Sequence, residues 1–274
     1  MEVRMMGYRS GQRSSEGERG ETEHRREIVE VGKRLWQRGY IAANDGNITV
    51  RLDEEHILAT PTGLSKGFLS PDQIVKVSMA GKQIEGHLRM SSEVLLHLEI
   101  YRTRCDVCAI VHAHPVYATG FAVAGLALEK PILPEAVVNL GGIPLAAYGK
   151  PGTAELPETL KPYLADHDAF LMANHGAVTL GSDVFQAYYR METLEHYAQI
   201  SFVARMLGNE NVFNEDQVRE LMEVRKDLGL GFPRPCSHCG LPHTSQLPGV
   251  PEEGGEAWEE LVRQITSRVV AQLE

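Results

Sequence analysis

Apolar side chains recur at helical spacing through Ile28, Val31, Leu35 and Trp36, which predicts a helix over 23–38. From about 41 to 62 the pattern changes to short strands and turns. Asn47-Ile48-Thr49-Val50-Arg51-Leu52 and Ile57-Leu58-Ala59-Thr60 read as strands, closed by the turn Pro61-Thr62-Gly63. A short strand through Val75 and Val77 runs to a turn at Ala80-Gly81-Lys82. A helix is expected over 91–103, a buried strand over 106–114 stopped by Pro115, and a helix over 116–123. A Pro/Gly-rich stretch follows, with strand pieces near Ile132 and Ile143-Pro144-Leu145. Residues 154–164 read as helical, and 169–172 and 177–180 as strands. Ser182-Asp183 caps a long helix to about 207, and a last helix covers 215–226. Strands and helices interleave in one continuous core, which predicts a single α/β domain over 23–230 without internal repeats.

The flanks differ in composition. Residues 1–22 are charged and rich in Gly and Ser, and are expected to form a disordered tail. Residues 231–256 carry five prolines and read as a linker. Residues 257–274 form an amphipathic pattern, with Trp258, Leu261, Val262, Ile265, Val269 and Leu273 on one stripe. So short a helix is marginal alone, so its apolar face needs a partner: its own domain, or a separate protein to which it docks as a tethered peptide.

Over 274 residues the chain is 43% hydrophobic with a net charge of −10, ordinary material for a globular protein of one large domain or two small ones. The negative charge argues against a nucleic-acid groove, and no run approaches the ~18 apolar residues of a membrane span. No secretory signal is expected, so the four cysteines should be reduced thiols in a cytoplasmic setting. They form two Cys-x-x-Cys pairs, Cys105/Cys108 and Cys236/Cys239. A zinc ribbon would require pairs far apart in sequence to meet, and the second pair, near His238 and His243, is a weaker candidate for a structural metal than for free thiols.

The residues able to do chemistry lie elsewhere. In Ile110-Val111-His112-Ala113-His114-Pro115 the two imidazoles sit at i and i+2 of a strand and share a face, which suits either a metal or two hydrogen-bonded histidines. His175, in Met172-Ala173-Asn174-His175-Gly176, stands just past a strand, where α/β folds place ligands. Three such rings in one place would suit a zinc ion with an open position. In Arg89-Met90-Ser91-Ser92-Glu93, Ser91 reads as a helix N-cap and Glu93 as a first-turn acid. The same two serines with free backbone N–H groups can instead receive a phosphate. The turns Asn44-Asp45-Gly46-Asn47 and Thr60-Pro61-Thr62-Gly63 can also aim donors at an anion.

Taken in order, Gly46-Asn47-Ile48-Thr49-Val50-Arg51, Thr60-Pro61-Thr62-Gly63, Ser91-Ser92-Glu93, His112-Ala113-His114-Pro115 and Asn174-His175-Gly176 resemble the motifs of the class II aldolase/adducin family, nearest its fuculose-phosphate aldolase branch, over about 24–208. The resemblance implies an α/β/α sandwich around a mostly antiparallel sheet, assembled as a homotetramer with active sites between subunits. It implies one Zn2+, or another divalent ion, per subunit on His112, His114 and His175. Glu93 would be the acid/base residue, also able to reach the metal. Asn47, Thr62, Gly63, Ser91 and Ser92 would hold a phosphate, with Gly46 allowing its close approach. The implied reaction is retro-aldol cleavage of a ketose 1-phosphate such as L-fuculose 1-phosphate to dihydroxyacetone phosphate and lactaldehyde. Alternatives on the same metal site are a methylthioribulose-1-phosphate dehydratase or a ribulose-5-phosphate 4-epimerase, and outside catalysis an adducin-like scaffold. Met90 stands where the family has proline, and Glu135 falls near the position of a tyrosine that assists aldehyde chemistry. The terminal pattern at 257–274 resembles peptides that load enzymes into bacterial microcompartments, which would make a shell protein a partner.

Overall fold

The computed structural model describes residues 20–232 and Arg234. The predicted tail over 1–19, most of the linker and the terminal helix therefore lie outside the described residues. Helix α1 (Glu21–Gln37) is followed by strands β1 (Asn47–Arg51), β2 (His56–Ala59), β3 (Val75–Ser78) and β4 (Gln83–Glu85). Helix α2 (Val94–Thr103) leads into β5 (Ala109–Ala113), α3 (Val116–Val123) and α4 (Pro134–Asn139). Then come β6 (Leu145–Ala146), α5 (Glu155–Leu160), β7 (Ala169–Met172), β8 (Gly176–Gly181), α6 (Val184–Met206) and α7 (Glu215–Asp227). The strands form one sheet in the order β4-β3-β2-β1-β5-β8-β7-β6. Only β6–β7 is parallel; the other pairs are antiparallel. The α/β/α sandwich is thus the observed architecture. Among the described residues no helix is long and apolar enough to cross a membrane.

Alternation along the strands builds the two faces. Ala109, Val111 and Ala113 of β5 pack with α1, α3 and α6, while Ile110 faces the opposite cluster with α2 and α5. Each fully buried Val, Leu or Ile contributes about 1.5–3 kcal/mol, so both layers are needed to hold the sheet. One seam is polar. Asn47, Thr49 and Arg51, alternate residues of β1, meet Glu93, His97 and Tyr101 at four-residue steps along the start and body of α2. Two strand residues advance about 6.8 Å and four helical residues about 6 Å, so the two ladders stay in phase.

In that seam Thr49 Oγ1 lies 2.7 Å from His97 Nδ1 and 2.8 Å from the Tyr101 hydroxyl. Burial pushes His97 down to about 3, reinforced by the charge of His112 and opposed by Glu93. The folded chain therefore keeps His97 neutral, while an unfolded chain protonates it below about 6.5. Its contribution is complete above that pH and is lost as pH falls toward 3, with a slope of at most ~1.4 kcal/mol per pH unit. With chelator present, denaturant midpoints at pH 7.0 and 4.5 should show the native protein losing about 2 kcal/mol more than His97→Asn. Equal losses would rule out His97 as the source.

A second buried polar centre sits at the end of the sheet's strands where β5 begins. Arg104 grips Asp106 through Nε (2.7 Å) and Nη2 (2.6 Å) and also donates to Asp168 Oδ1 at 3.0 Å. Arg190 and Arg234 pair with Asp168 Oδ2. Burial works against the Asp168 charge, but Arg190, Arg104 and Arg234 outweigh it and hold the carboxyl well below the usual carboxylate range.

Several boundaries differ from the sequence reading. Helix α1 begins inside the predicted tail because Glu21 accepts from Arg25 (2.8 Å) and from Lys76 on β3 (3.0 Å). Ser91 does not cap α2: the helix starts at Val94, and Ser91 Oγ instead accepts from the Glu93 N–H at 3.3 Å in a local turn. Strand β4 and helix α4 were not anticipated, and Ile132 lies in no strand. The helix expected over 154–164 is α5 followed by a 3-10 turn at Lys161–Tyr163. Phe232 and Arg234, at the start of the expected linker, are anchored: the Phe232 ring lies against the Arg104 guanidinium at 4.9 Å. The expectation of reduced thiols fails for Cys105 and Cys108, which are both disulfide-bonded.

Candidate metal centre

The antiparallel order brings the start of β1, the end of β2, the end of β5 and the β7–β8 turn to one edge of the sheet. His112 lies within β5, His114 one residue beyond its end, and His175 in the turn into β8. Their ring centroids are 4.8–5.2 Å apart, and one donor atom from each lies within 4.8 Å of the others. Two glycines permit this crowding. A Cβ on Gly176 would lie 2.5 Å from His114 Cδ2, and one on Gly46, at φ +69°, would lie 2.7 Å from the His112 carbonyl oxygen.

The ring nitrogens are sorted by their neighbours. His112 Nδ1 faces the Ala177 carbonyl at 2.9 Å and His114 Nδ1 faces Asp45 Oδ2 at 3.4 Å. Both carbonyl and carboxylate accept only, which places the ring protons on Nδ1 and leaves lone pairs on Nε2. The two Nε2 atoms then confront each other at 3.1 Å. Two facing lone pairs repel unless a cation lies between them, and the donor set of three imidazoles fits a divalent metal with an open position.

Glu93 closes this centre. Its Oε1 is 3.1 Å from His175 Nε2 and its Oε2 is 3.3 Å from His112 Nε2. Asn47 Nδ2 donates to Oε2 at 2.7 Å. Burial favours the neutral acid, but His112 and His175 outweigh it and hold the Glu93 carboxyl below its ordinary range. Burial lowers His114, helped by the charges of His112 and His175, to about 4. A carboxylate fixed beside imidazole lone pairs can serve as a fourth ligand or exchange a proton with a bound molecule.

The residues expected to hold a phosphate surround the same edge. An isolated bridge between Pro61 and Met90 and the Thr62 N–H donating to the Arg89 carbonyl (2.9 Å) lay Thr62 and Gly63 beside Ser91 and Ser92. Gly63 has φ +76°, and Ser92 is exposed. Asn47, expected at the same site, directs one amide N–H to Glu93 Oε2 and has a second donor on the same nitrogen. Met90, in place of the family's proline, is accommodated through the bridge to Pro61, and Glu135 lies in the first turn of α4. Lys66 was missed. Its buried ammonium donates to the carbonyls of Asn44 and Leu64 (3.0 Å to the latter), tying together the two turns expected to receive an anion, and burial pushes it down to about 8. Nothing in the local pattern Ser65-Lys66-Gly67 marks it as internal.

Comparison with known proteins agrees with this geometry. Residues 26–202 match the family described as Class II Aldolase and Adducin N-terminal domain. A 3-oxo-tetronate 4-phosphate decarboxylase of Pectobacterium atrosepticum is 38% identical over 203 residues, 72% of this chain and 91% of that one. An L-fuculose phosphate aldolase of Methanococcus maripaludis is 35% identical over 181 residues, 66% of this chain and 97% of that one. The solved structure of an L-fuculose 1-phosphate aldolase superposes with a TM-score of 0.70 at 28% identity, covering 74% of this chain and 96% of that one.

Proposed function

The chain belongs to the class II aldolase and adducin family and is a lyase, and on that footing we propose that it cleaves a ketose 1-phosphate such as L-fuculose 1-phosphate between C3 and C4. The products are dihydroxyacetone phosphate and lactaldehyde. The observation that carries this reading is the Glu93 carboxylate held by Asn47 against His112 and His175, with His114 beside them. Held by His112, His114 and His175, a divalent ion, zinc in this reading, supplies Lewis acidity toward the carbonyl oxygen. Glu93 does the proton work. As a carboxylate it takes the proton from C3 in the synthetic direction; in cleavage the C4 hydroxyl gives up its proton to solvent as the C3–C4 bond breaks, and Glu93, protonated by exchange with solvent, delivers one to C3. Asn47 fixes the carboxylate's orientation by donating to Oε2. Thr62, Gly63, Ser91 and Ser92 receive the phosphate through uncharged donors at the mouth of the site, and Lys66 holds the turns that present them.

A second reading rests on the 38% identical decarboxylase. Loss of carbon dioxide from a 3-oxo-acid phosphate leaves electrons on the same kind of carbon, and Glu93 would protonate it in the same way. A panel of L-fuculose 1-phosphate, L-rhamnulose 1-phosphate and 3-oxo-tetronate 4-phosphate, assayed with and without chelator, separates the two. Dihydroxyacetone phosphate from a ketose 1-phosphate is expected; chelator-sensitive carbon dioxide release from the oxo-acid alone would replace the aldolase reading.

The homotetramer belongs to the same proposal, supported by exposed apolar side chains at the end of α6, among them Phe202, Val203, Met206 and Leu207. Docking of 257–274 to a microcompartment shell is proposed from sequence alone, those residues being outside the described part. Failure of a fused 250–274 peptide to associate with shell proteins would remove it.

A further inference from the structure

Lys66 carries a buried charge that the proposed reaction leaves unused. It opens the 3-10 turn Lys66–Phe68 and is only 2% exposed. Its Nζ donates to the Leu64 carbonyl at 3.0 Å and to the Asn44 carbonyl. Both carbonyls lie at the turns expected to receive a phosphate: Asn44 opens Asn44-Asp45-Gly46-Asn47, and Leu64 follows Thr60-Pro61-Thr62-Gly63. The backbone around Lys66 has little room to shift, because α1 packs directly against it. A Cβ on Gly32 would strike the Lys66 carbonyl oxygen, and one on Gly67 would lie 2.5 Å from Trp36 Cβ. Among the described residues no carboxylate forms an ion pair with the ammonium. The carboxylates whose charge it feels, Asp45 and Glu93, are engaged elsewhere. Asp45 Oδ2 faces His114 Nδ1 at 3.4 Å, while Glu93 faces His112 and His175 and accepts from Asn47. Carbonyls solvate an ammonium but leave its charge unmatched, and a buried unmatched charge is costly to the fold. Such a charge suits a site to which an anion comes.

We propose that Lys66 is the positive charge of the phosphate site, a positioning residue that touches no substrate atom but sets the field behind the anion. The inference rests on the reading of Thr62, Gly63, Ser91 and Ser92 as phosphate donors. It holds for both reactions proposed above, since each substrate carries a phosphate. The N–H and hydroxyl donors at the mouth fix where the anion sits, but they carry no net charge to balance it. A cation one peptide layer behind them supplies that balance, through a protein wall that screens it less than water would. At roughly 8 Å and an effective dielectric near 20, this is worth on the order of 10-fold in affinity for each negative charge. The coupling is reciprocal: the factor that the ammonium adds to phosphate affinity, bound phosphate adds to the ammonium's hold on its proton. Burial pushes Lys66 down to about 8, opposed by Asp45 and Glu93, so that reverse effect falls in a measurable range.

The test uses the full chain with inorganic phosphate as the probe, titrated by calorimetry at pH 7. Lys66→Gln keeps amide N–H donors for the two carbonyls and removes the charge. It should bind phosphate at least about 10-fold more weakly than wild type. Lys66→Met removes the donors as well and should bind more weakly still. For a phosphorylated substrate the same loss should appear in KM, with kcat changed by less than about threefold, because the charge acts on binding and not on the reacting carbon. A second measurement needs no variant to fold. In wild type labelled with 13Cε-lysine, the lysine resonance that titrates near pH 8 should move its midpoint upward by about one pH unit or more when phosphate saturates the chain. A merely structural lysine would show no such movement. Wild type that binds no phosphate would overturn the phosphate site and the role of Lys66 with it. Phosphate bound equally by wild type and Lys66→Gln, or a midpoint that phosphate leaves in place, would overturn the role of Lys66 alone and leave the proposed reaction standing.

Discussion

Glu93→Gln should retain bound metal and lose about 100- to 10,000-fold in turnover, the range for removal of a positioned acid/base group. Glutamine keeps the shape of the side chain and its amide oxygen still accepts from Asn47 Nδ2, so the three rings are left in place. It cannot carry a proton between carbon and solvent. Metal analysis, kcat on the ketose 1-phosphate, and deuterium exchange from heavy water into dihydroxyacetone phosphate together test the assignment. Exchange should vanish along with turnover. A variant that turns over at the native rate would remove Glu93 from the chemistry, and one that loses its metal would make Glu93 a ligand first.

Asp168→Ala is expected to cost about 3–5 kcal/mol of folding stability, because it strips the shared counter-charge from buried guanidinia. Asp168 is fully buried, and it is the partner of Arg190 as well as of Arg104 and Arg234. Arg104 keeps Asp106, so the unpaired charge falls mainly on Arg190, itself buried and lowered to about 10 by that burial. Chemical denaturation at pH 7 measures the loss. Since the folded carboxyl sits well below its unfolded value, the stabilisation is complete above about pH 4 and fades as pH falls below it. The variant should lack that acid limb. A loss below ~1 kcal/mol would mean the arginines find other partners.

Much of this molecule is legible in the chain. Val111 and Ile110 alternate between the two core faces as a buried strand requires, and the same alternation puts His112 and His114 on one side. Asp183 caps α6 as read, accepting from the N–H groups of Phe185 and Gln186. What could not be read depends on partners distant in sequence. Asn47 turns to Glu93 across 46 residues, and Arg104 reaches Asp168 across 64. Ser91 looked like a cap because a serine two residues before a Glu and an apolar run has that signature. The bridge between Pro61 and Met90 instead shapes the chain there into a turn, and the helix begins three residues later. Strand β4 is three residues long and mostly exposed, too weak a pattern to register. Lys66 carries no local mark because its acceptors are loop carbonyls.

The hydrogen bond from His112 to the Ala177 carbonyl joins one ring of the candidate metal centre to the neighbouring strand, two residues after His175. His112 and Val178 are paired in that ladder, so a slip of one position would turn Ala177 away and carry His175 with it. Ion capture at the proposed centre would therefore depend on the phase in which these two strands zip together: a chain that closes them out of step has no such cluster, and uptake of metal during refolding would time that closure directly.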